Sequence, residues 1–268
     1  MSEDDKSKSS VGVIGAGIQG VCISLCLIKK GFKVTLIDRD DPGKDSASTG
    51  NAGHFSPYAS VPINRSDILV DVPSMLFSST GPLALKWNYV YKMIPWFLKF
   101  IKNCNKKNMM HTARYMHQIL NLALPAYDEL FSDIDISGLV ESKGIIYFWT
   151  KNDLKSRELE INIRNELGVK QQLLTRHEIH DLEPHIKKIY HGGVLYPNAR
   201  HARNPKKILL KLFDLFLKRG GYFKRQNAQS ISFTSDNKPV IKTGLNFYTF
   251  DKAVIACGAF SKKLTDQV

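Results

Sequence analysis

The distribution of apolar and polar positions predicts β-structure at both ends of the chain and mainly helices between them. An apolar run over 11–14 is followed by a glycine turn, a helical segment and a second apolar run that ends at Asp38. This change from strand to helix and back is typical of the first half of a Rossmann-type fold. Helical spacing then predicts helices over roughly 109–131, 152–167, 175–182 and 205–219.

Short runs rich in β-branched and aromatic residues predict strands in the second half of the chain. These runs lie at 144–150, 194–196, 222–225, 229–233, 239–243 and 246–250. A last apolar run begins at Lys252 and ends in a glycine turn at Gly258, which is typical of a buried parallel strand. We expect this strand to complete the sheet that begins at residue 11. The pattern therefore predicts an α/β fold whose Rossmann-like domain is discontinuous in sequence, with a second domain inserted.

The glycine turn after the first strand has the spacing of a dinucleotide-binding site. Gly15, Gly17 and Gly20 form GxGxxG. The first glycine permits the tight turn, the second lets a pyrophosphate approach the backbone, and the third lets helix and strand pack closely. The helix N-terminus offers N–H groups to the phosphates, and a carboxylate at the next strand end can accept from ribose hydroxyls. The predicted contacts are Gly15, Ala16, Gly17, Ile18, Gln19, Gly20, Asp38 and Arg39.

The segment over 39–64 is rich in small and turn-forming residues and has little periodicity. It leaves the carboxyl end of a strand, which is the edge where open α/β sheets bind ligands. A loop of this length inside a domain is usually functional or disordered, so we expect it to surround a cofactor, with a floppy surface loop as the alternative. The groups expected at the cofactor are the backbone amides near Gly50, Ala52 and Gly53 and the hydroxyls of Ser48 and Thr49.

The net charge of +13 comes from lysines that are scattered along the chain rather than gathered in one block. A lysine-rich solvated surface is the favoured explanation, and attraction to anionic substrates or to an anionic membrane surface is the alternative; no nucleic-acid partner is expected. No CxxC pair occurs, so neither a metal site nor a disulfide framework is predicted. The polar start carries no apolar stretch of signal-peptide type, and a cytoplasmic location is expected.

Aromatic and basic residues interleave over 82–107, PLALKWNYVYKMIPWFLKFIKNCNKK. Pro95 is expected to break or kink a helix here. Such a stretch can lie on an anionic membrane surface, but we favour packing against a neighbouring domain with the lysine side chains reaching solvent. His111 and His117, in the next helical region, lack a set of metal-ligand partners and are interpreted as surface or packing residues.

Four stretches give the sequence a resemblance to a known family. In chain order they are VGVIGAGIQG with VTLID, STGNAGHFSP, GGVLYPNARHARNP and KAVIACGAFS. With these motifs the chain resembles the FAD-dependent D-amino-acid oxidase superfamily, and within it the bacterial D-amino-acid dehydrogenase small-subunit type. The likeness covers nearly all of residues 11–261, and PLALKW and IPWFLKF are similar to that type's inserted domain.

The resemblance implies FAD as the cofactor and a two-domain fold. It implies a discontinuous Rossmann-like FAD-binding domain and an inserted α+β substrate domain, and it leaves the fold incomplete at the C-terminus. The expected divisions are a disordered segment at 1–10, FAD-binding parts at 11–75 and 193–268, and the inserted domain at 76–192.

The resemblance also gives roles to individual residues. Asp38 is similar to the family's adenosine-ribose acid, and Ser48 and Thr49 are similar to its hydroxyl pair near the pyrophosphate. His54 could contact the flavin or the substrate, and it is not assigned as a catalytic base. The segment that resembles the lining of the isoalloxazine ring is Asn51, Ala52, Gly53 and His54.

Two positions depart from the family pattern. Ser230 stands where the family usually has a valine whose backbone touches the adenine, and a serine offers the same backbone groups. In the turn Ala256, Cys257, Gly258 a cysteine replaces a common threonine, which keeps the small size but loses a hydroxyl donor.

Family chains usually continue past this point and place there the Arg and Tyr that hold the substrate carboxylate. The sequence ends at SKKLTDQV, so the chain resembles a truncated member, with a second polypeptide as one way to complete the fold. Arg200 and Arg203 are interpreted as solvated loop charges, and the catalytic residues stay unassigned.

The resemblance implies oxidation of the Cα–N bond of a D-amino acid, giving an imino acid and then a 2-oxo acid and ammonia, with electrons passed to a quinone at a membrane. One alternative is an oxidase of glycine, sarcosine or proline in the same superfamily. An NAD-dependent dehydrogenase is a second alternative, which the motif STGNAGHFSP disfavours. A third is a non-catalytic FAD-binding remnant or partner-dependent subunit that binds FAD weakly or not at all and is inactive alone.

Overall fold

The computed structural model describes residues 9–44, 46–64, 86–150 and 154–268. The chain divides into two units by its contacts. Unit 1 contains the residues up to His54 together with Ala126–Glu141 and His201–Val268, and unit 2 contains Phe55–Pro125 and Ser142–Arg200. Nearly all of the expected disordered segment at 1–10, and the expected boundary at 75–76, lie outside the described residues.

The described residues form strands and helices that alternate along much of the chain. The strands are β1 (Ser10–Ile14), β2 (Lys33–Asp38), β3 (His54–Phe55), β4 (Val140–Glu141), β5 (Ile145–Trp149), β6 (Gln172–Thr175), β7 (Gly192–Tyr196), β8 (Arg200–Ala202), β9 (Tyr222–Arg225), β10 (Ala228–Phe233), β11 (Pro239–Thr243), β12 (Asn246–Thr249) and β13 (Lys252–Ile255). The helices are α1 (Ile18–Lys29), α2 (Val90–Asn103), α3 (Lys106–Asn121), α4 (Ala123–Phe131), α5 (Lys155–Glu166), α6 (Arg176–Leu182), α7 (Pro205–Lys218) and α8 (Lys262–Thr265).

A parallel sheet of order β13-β1-β2-β9 forms the centre of unit 1. Val13 of β1 pairs with Leu36 of β2 on one side and with Val254 of β13 on the other. The strand predicted at the end of the chain is therefore confirmed as a direct neighbour of the first strand. The α/β fold class predicted from the sequence is confirmed with it.

The two faces of this sheet are covered by different elements. Ile14 and Ile37 form a buried cluster with residues of the antiparallel sheet β10-β11-β12, including Ile231 and Ile241. Alternate residues of a strand face opposite sides, so Val13 and Leu36 lie on the other face, where α1 and α7 pack. The sheet is thus covered on both sides, as parallel sheets require.

A third sheet has the order β3-β8-β4 and is built from strands of two or three residues. β4 and β8 are antiparallel, pairing Val140 with Ala202 and Glu141 with His201. The Ala202 N–H also donates to the carbonyl oxygen of Gly53 at 2.7 Å. This sheet therefore fixes the end of the loop that precedes β3.

Unit 2 is built on the antiparallel sheet β5-β7-β6. One face carries Tyr196 and Val194, against which the ring of Tyr58 packs. The other face carries Leu174, which packs with Ile179 of α6 and with Tyr190. Two separate apolar clusters therefore cover the two faces.

The helical middle of the chain agrees with the prediction in one respect and differs in another. The helical region expected over 109–131 is confirmed and consists of two helices, α3 and α4, with Leu122 between them. Of the break or kink expected at Pro95, the break is absent, because α2 continues through it. A proline inside a helix removes one i→i−4 hydrogen bond and adds a steric clash with the preceding turn, and here the remaining bonds keep the helix continuous.

The aromatic and basic stretch does not show the burial that we favoured from the sequence. In the described structure α2 has no buried residue, and several of its large apolar side chains are more than half exposed. No helix among the described residues is both long and apolar enough to cross a lipid bilayer.

Candidate cofactor site

Three strands of the parallel sheet end at the same edge and bring the predicted cofactor residues together. β1 leads into Gly15, β2 ends at Asp38, and β13 leads into the turn that starts at Ala256. Because parallel strands present their carboxyl ends on one side, this edge collects residues from both ends of the chain.

Gly15 has a backbone conformation and a location that only glycine can occupy. Its φ of +106° lies in the region that side chains rarely adopt, and a Cβ there would overlap the carbonyl oxygen of Ala256. Its N–H donates to the Ile37 carbonyl at 2.8 Å, while the Ala256 N–H donates to the Ile14 carbonyl at 2.7 Å. The glycine turn and the Ala256 turn are therefore in direct contact.

The other two glycines of the motif have different surroundings. A Cβ on Gly20 would overlap the carbonyl oxygen of Gly15, so this glycine lets α1 pack against the turn. A Cβ on Gly17 would meet only the Ser48 hydroxyl, at 3.3 Å. The space above Gly17, at the N-terminus of α1, is thus open in the direction from which a pyrophosphate would approach.

The carboxylate of Asp38 is held in place by backbone donors. It accepts from the Ala16 N–H at 2.6 Å through one oxygen and from the Asp40 N–H at 3.0 Å through the other. A carboxylate has about four acceptor positions, so acceptor capacity is left for ribose hydroxyls. The neighbouring Arg39 points elsewhere: its Nε donates to Asp40 at 3.1 Å, and its guanidinium lies 5.5 Å from the centre of the Phe260 ring.

The predicted cofactor loop is folded onto the start of α1. The Ser48 hydroxyl accepts from the Ile18 N–H at 3.0 Å, and the Thr49 hydroxyl donates to the Ser46 carbonyl at 2.8 Å. Asn51 links the loop internally, because its Nδ2 donates to the Ser48 carbonyl at 3.3 Å and its Oδ1 accepts from the Gly53 N–H at 2.8 Å. These bonds favour an organised loop over the floppy alternative.

The far end of the loop is fixed against β8. Gly53 has a φ of +69°, and a Cβ there would overlap the Ala202 carbonyl oxygen, so the close approach requires glycine. The imidazole of His54 then lies edge to face with that of His201, with ring centres 5.4 Å apart. The sequence did not single out His201. Its place directly before the ARNP stretch was visible, but its pairing with His54 depends on the tertiary fold.

The turn after β13 shows what takes the place of the lost hydroxyl at Cys257. Its thiol lies 3.4 Å from the Ile14 carbonyl oxygen and donates to it, so the replacement of threonine by cysteine keeps a donor at this position, although a weak one. Burial, and secondarily the nearby Asp38 carboxylate, raises the pKa of this thiol. Cys257 therefore stays protonated and acts as a small donor.

The remaining sequence candidates lie further from the glycine turn. Ser230 is on β10, at an irregularity in its pairing with β11, and no hydrogen bond described for it reaches the sheet edge. Arg203 pairs with Glu141 at 2.9 Å, which supports its interpretation as a structural loop charge. Within the described ranges, no three His, Cys, Asp or Glu side chains are grouped so that they could hold a metal ion.

A cluster in unit 2 was not found from the sequence. The ring of Tyr58 stacks on that of Tyr196 with centres 3.9 Å apart, and its hydroxyl bonds that of Tyr147 at 3.0 Å. Arg164 donates to the Tyr58 carbonyl at 3.2 Å and to Glu160 at 3.1 Å. Since Glu160 already compensates the arginine charge, Arg164 supports the cluster rather than offering a free cation to a substrate.

The arrangement at the sheet edge fits FAD. The open space at Gly17 suits the pyrophosphate, Asp38 suits the adenosine ribose, and the Ser48–His54 segment reaches away from the helix N-terminus as an extended dinucleotide would require. Hydrogen bonds or close contacts connect the following residues at this edge: Gly15, Ala16, Gly17, Ile18, Gly20, Asp38, Ser48, Asn51, Gly53, Ala256 and Cys257.

Known proteins share this organisation. D-amino-acid oxidase from Bradyrhizobium diazoefficiens is 29% identical over 260 residues, which are 96% of this chain and 62% of that protein. The crystal structure of glycine oxidase from Geobacillus kaustophilus matches with a TM-score of 0.64 at 19% identity, over 97% of this chain and 58% of its own. L-amino acid deaminase from Proteus vulgaris matches with a TM-score of 0.66 at 13% identity, over 97% and 56%.

The chain thus spans less than two thirds of the length of these relatives. The solved structures, at low identity, show a shared fold. The model of the protein family DAO, described as FAD dependent oxidoreductase, matches residues 10–268, which are nearly the whole chain. The chain therefore belongs to the DAO family of FAD-dependent oxidoreductases.

Proposed function

We propose that the chain forms the FAD site of an enzyme that oxidises the Cα–N bond of an amino acid. The observation that carries the proposal is the meeting of the glycine turn, Asp38 and the Ala256 turn at one sheet edge, with the Ser48 loop bonded to the start of α1. When bound, FAD supplies the acceptor for a hydride from Cα, and the imino acid formed is hydrolysed by water to a 2-oxo acid and ammonia.

The chain's own residues bind and orient in this proposal. The N-terminus of α1 attracts the pyrophosphate, and the closed contact between Gly15 and Ala256 keeps the strand ends from separating. Asp38 orients the adenosine ribose. The assignment of Gln19, Arg39, Thr49, Ala52, His54, Ser230 and Gly258 as further cofactor contacts is part of the proposal, as is the division into FAD-binding parts at 11–75 and 193–268 and a substrate part at 76–192.

A D-amino acid is the proposed substrate class. The support is the similarity to a D-amino-acid oxidase along 96% of the chain. Glycine oxidase and L-amino acid deaminase share the fold, so an oxidase of the glycine, sarcosine or proline type is the alternative within the family. All of these names describe enzymes that act on amino acids.

A quinone is the proposed electron acceptor, which makes the enzyme a dehydrogenase rather than an oxidase. One support is the likeness of the inserted region to the dehydrogenase type. The other is the exposed aromatic and basic side chains of α2, because such side chains let a peripheral protein bind the membrane that holds a quinone. The corresponding location is the cytoplasmic face of a membrane.

A partner-dependent FAD-binding subunit is a second candidate function. It is favoured by the pairing of two arginines, since Arg164 bonds to Glu160 and Arg203 bonds to Glu141, so neither is offered to a substrate carboxylate. In that case a second polypeptide supplies the groups that bind the substrate carboxylate, and the 268-residue chain alone does not turn over D-amino acids.

Dye reduction separates these functions. The purified chain, supplied with FAD, is mixed with D-alanine, L-alanine or glycine and an artificial electron acceptor, with and without oxygen. Reduction of the dye with D-alanine, but not with L-alanine or glycine, supports the D-amino-acid dehydrogenase. Oxygen consumption supports the oxidase. Weak or absent FAD binding without any reduction supports the partner-dependent subunit, and dye reduction with D-alanine by the chain alone contradicts it.

A further inference from the structure

An apolar stripe runs along the exposed side of α2 in unit 2. Tyr91, Ile94, Leu98 and Ile101 are 64%, 50%, 65% and 52% exposed. Their spacing of three, four and three residues puts them on one face of the helix. Large apolar side chains that are contiguous and at least half exposed mark a surface that another molecule covers.

Positive charge accompanies the stripe. Lys99 and Lys102 lie on the flank of the same helix, next to Leu98 and Ile101. Residues 72–127 contain no aspartate or glutamate. The basic residues of this acid-free segment are Lys86, Lys92, Lys99, Lys102, Lys106, Lys107 and Arg114, and each of them is exposed.

A tryptophan lies at the N-terminal end of the same surface. Trp87, immediately before α2, is more than half exposed. Trp96 is also more than half exposed, but its spacing of two residues from both Ile94 and Leu98 puts it on the opposite side of α2, where its ring stacks on Phe100 with centres 5.1 Å apart. Tryptophan and lysine beside an apolar helical face form the pattern of helices that lie in the interface of an anionic bilayer.

We propose that α2, with Trp87, docks on an anionic phospholipid surface. In this arrangement the stripe enters the boundary between headgroups and acyl chains, and the lysines contact the anionic headgroups. A second copy of the chain is a poorer occupant, since pairing two such faces would bring lysine against lysine with no acidic side chain in this segment to compensate.

The docking surface extends the proposed membrane-bound quinone acceptor, since both rest on the exposed side chains of α2. Lipid binding itself depends on unit 2 side chains and not on FAD or an amino acid, so vesicle binding can fail while cofactor binding succeeds, and the reverse. The two proposals are therefore tested separately.

Co-sedimentation with vesicles tests the docking surface. The full chain is mixed with vesicles of phosphatidylcholine alone and of an equal mixture with phosphatidylglycerol, at low and physiological salt. We expect binding to the anionic vesicles that weakens with salt, and little to the neutral ones. The double variant Lys99→Glu/Lys102→Glu is expected to bind at least about ten-fold more weakly, because each basic residue adds to the attraction.

The matched control is Lys187→Glu/Lys188→Glu. It makes the same change of charge at two exposed lysines elsewhere in unit 2, and binding within about two-fold of the parent is expected. Circular dichroism must give the same melting temperature for both double variants. If both double variants weakened binding equally, the effect would be one of general charge and the proposal would be overturned. Equal binding of the parent chain to neutral and anionic vesicles, or no binding to either, would also overturn it.

Tryptophan fluorescence reports where the contact is made. Since the chain has three tryptophans, Trp96→Phe/Trp149→Phe leaves Trp87 as the reporter. Anionic vesicles are expected to shift its emission to shorter wavelength, and Leu98→Asn is expected to reduce the shift. An unshifted emission, or a concentration-dependent dimer that Leu98→Asn abolishes, would contradict lipid as the occupant.

Discussion

Gly15 and Ala256, from opposite ends of the chain, are in such close contact that the backbone of one leaves no room for a side chain on the other. Gly15 also has a φ of +106°. Gly15→Ala should therefore lower the free energy of unfolding by more than about 2 kcal/mol, through backbone strain and the clash with the carbonyl oxygen. Urea unfolding of the FAD-free chain measures this change.

Gly50→Ala is the control for that measurement. Nothing lies within 4 Å of the position its Cβ would take, so its unfolding free energy should stay within about 1 kcal/mol of the parent. If the two alanine variants unfolded at the same urea concentration, the contact between the turns would not be the cause.

Asp38→Asn tests the ribose contact. The amide oxygen can still accept from the Ala16 N–H, so folding should be retained, but the charge that strengthens a bond from a ribose hydroxyl is lost. FAD affinity should fall about ten-fold, the cost of weakening one charge-assisted hydrogen bond. Asp41→Asn, at an exposed position three residues further along the chain, should change the affinity by less than about two-fold. Similar losses in both would show a non-specific charge effect.

The same substitution should change the chemistry of Cys257. Burial and the Asp38 carboxylate raise the pKa of the thiol, so removing the negative charge lowers that pKa and increases the thiolate fraction. Alkylation of Cys257 by iodoacetamide at pH 8 should be about two- to ten-fold faster in Asp38→Asn, measured by mass spectrometry of the peptide. The exposed Cys26 in the same sample should react at an unchanged rate. An unchanged rate at Cys257 would contradict the contact.

Asp251 should make the stability of unit 1 depend on pH. Its carboxylate accepts from Lys238 Nζ at 2.8 Å and from the Ser10 N–H and hydroxyl at 2.8 and 2.9 Å. These bonds, with that of Lys238 first, hold the pKa of Asp251 well below its usual range. Since the folded pKa is depressed, the stabilisation is present above the unfolded pKa of about 4 and is lost as the pH falls towards the folded pKa.

Asp251→Asn should therefore have a lower melting temperature than the parent at pH 7, and the difference should shrink below about pH 4. Asp236→Asn, at a nearby exposed position, should show little difference at either pH. A difference between Asp251→Asn and the parent that stayed constant with pH would show that the carboxylate charge is not involved.

The parts of this site that depend on local sequence could be predicted. Gly15, Gly17 and Gly20 specify their own turn, and the apolar run before Gly258 identifies a strand without knowledge of its partners. The burial predicted for that strand was wrong, because β13 is at the edge of the described sheet and its residues are partly buried or exposed. Other parts depend on tertiary contacts and could not. The pairing of His54 with His201 arises because Gly53 lies against Ala202, and the donor role of the Cys257 thiol arises because β13 places it beside Ile14.

The middle of the chain shows the limit of local rules most clearly. Pro95 predicted a break or a kink, and no break occurs because α2 continues through it; the amphipathic pattern around it predicted burial that the described structure does not show. Periodicity identifies an apolar face, but it does not identify what covers that face.

The most direct test of the cofactor site is the affinity of the purified chain for FAD, with Gly17→Val as the comparison. A valine at this position meets only the flexible Ser48 side chain, so folding should be retained while the approach of the pyrophosphate is blocked. Quenching of flavin fluorescence should show saturable binding by the parent, however weak, and an affinity lower by about 100-fold or more in Gly17→Val. Equal affinities in two chains with the same circular dichroism spectrum would contradict the placement of FAD at this sheet edge.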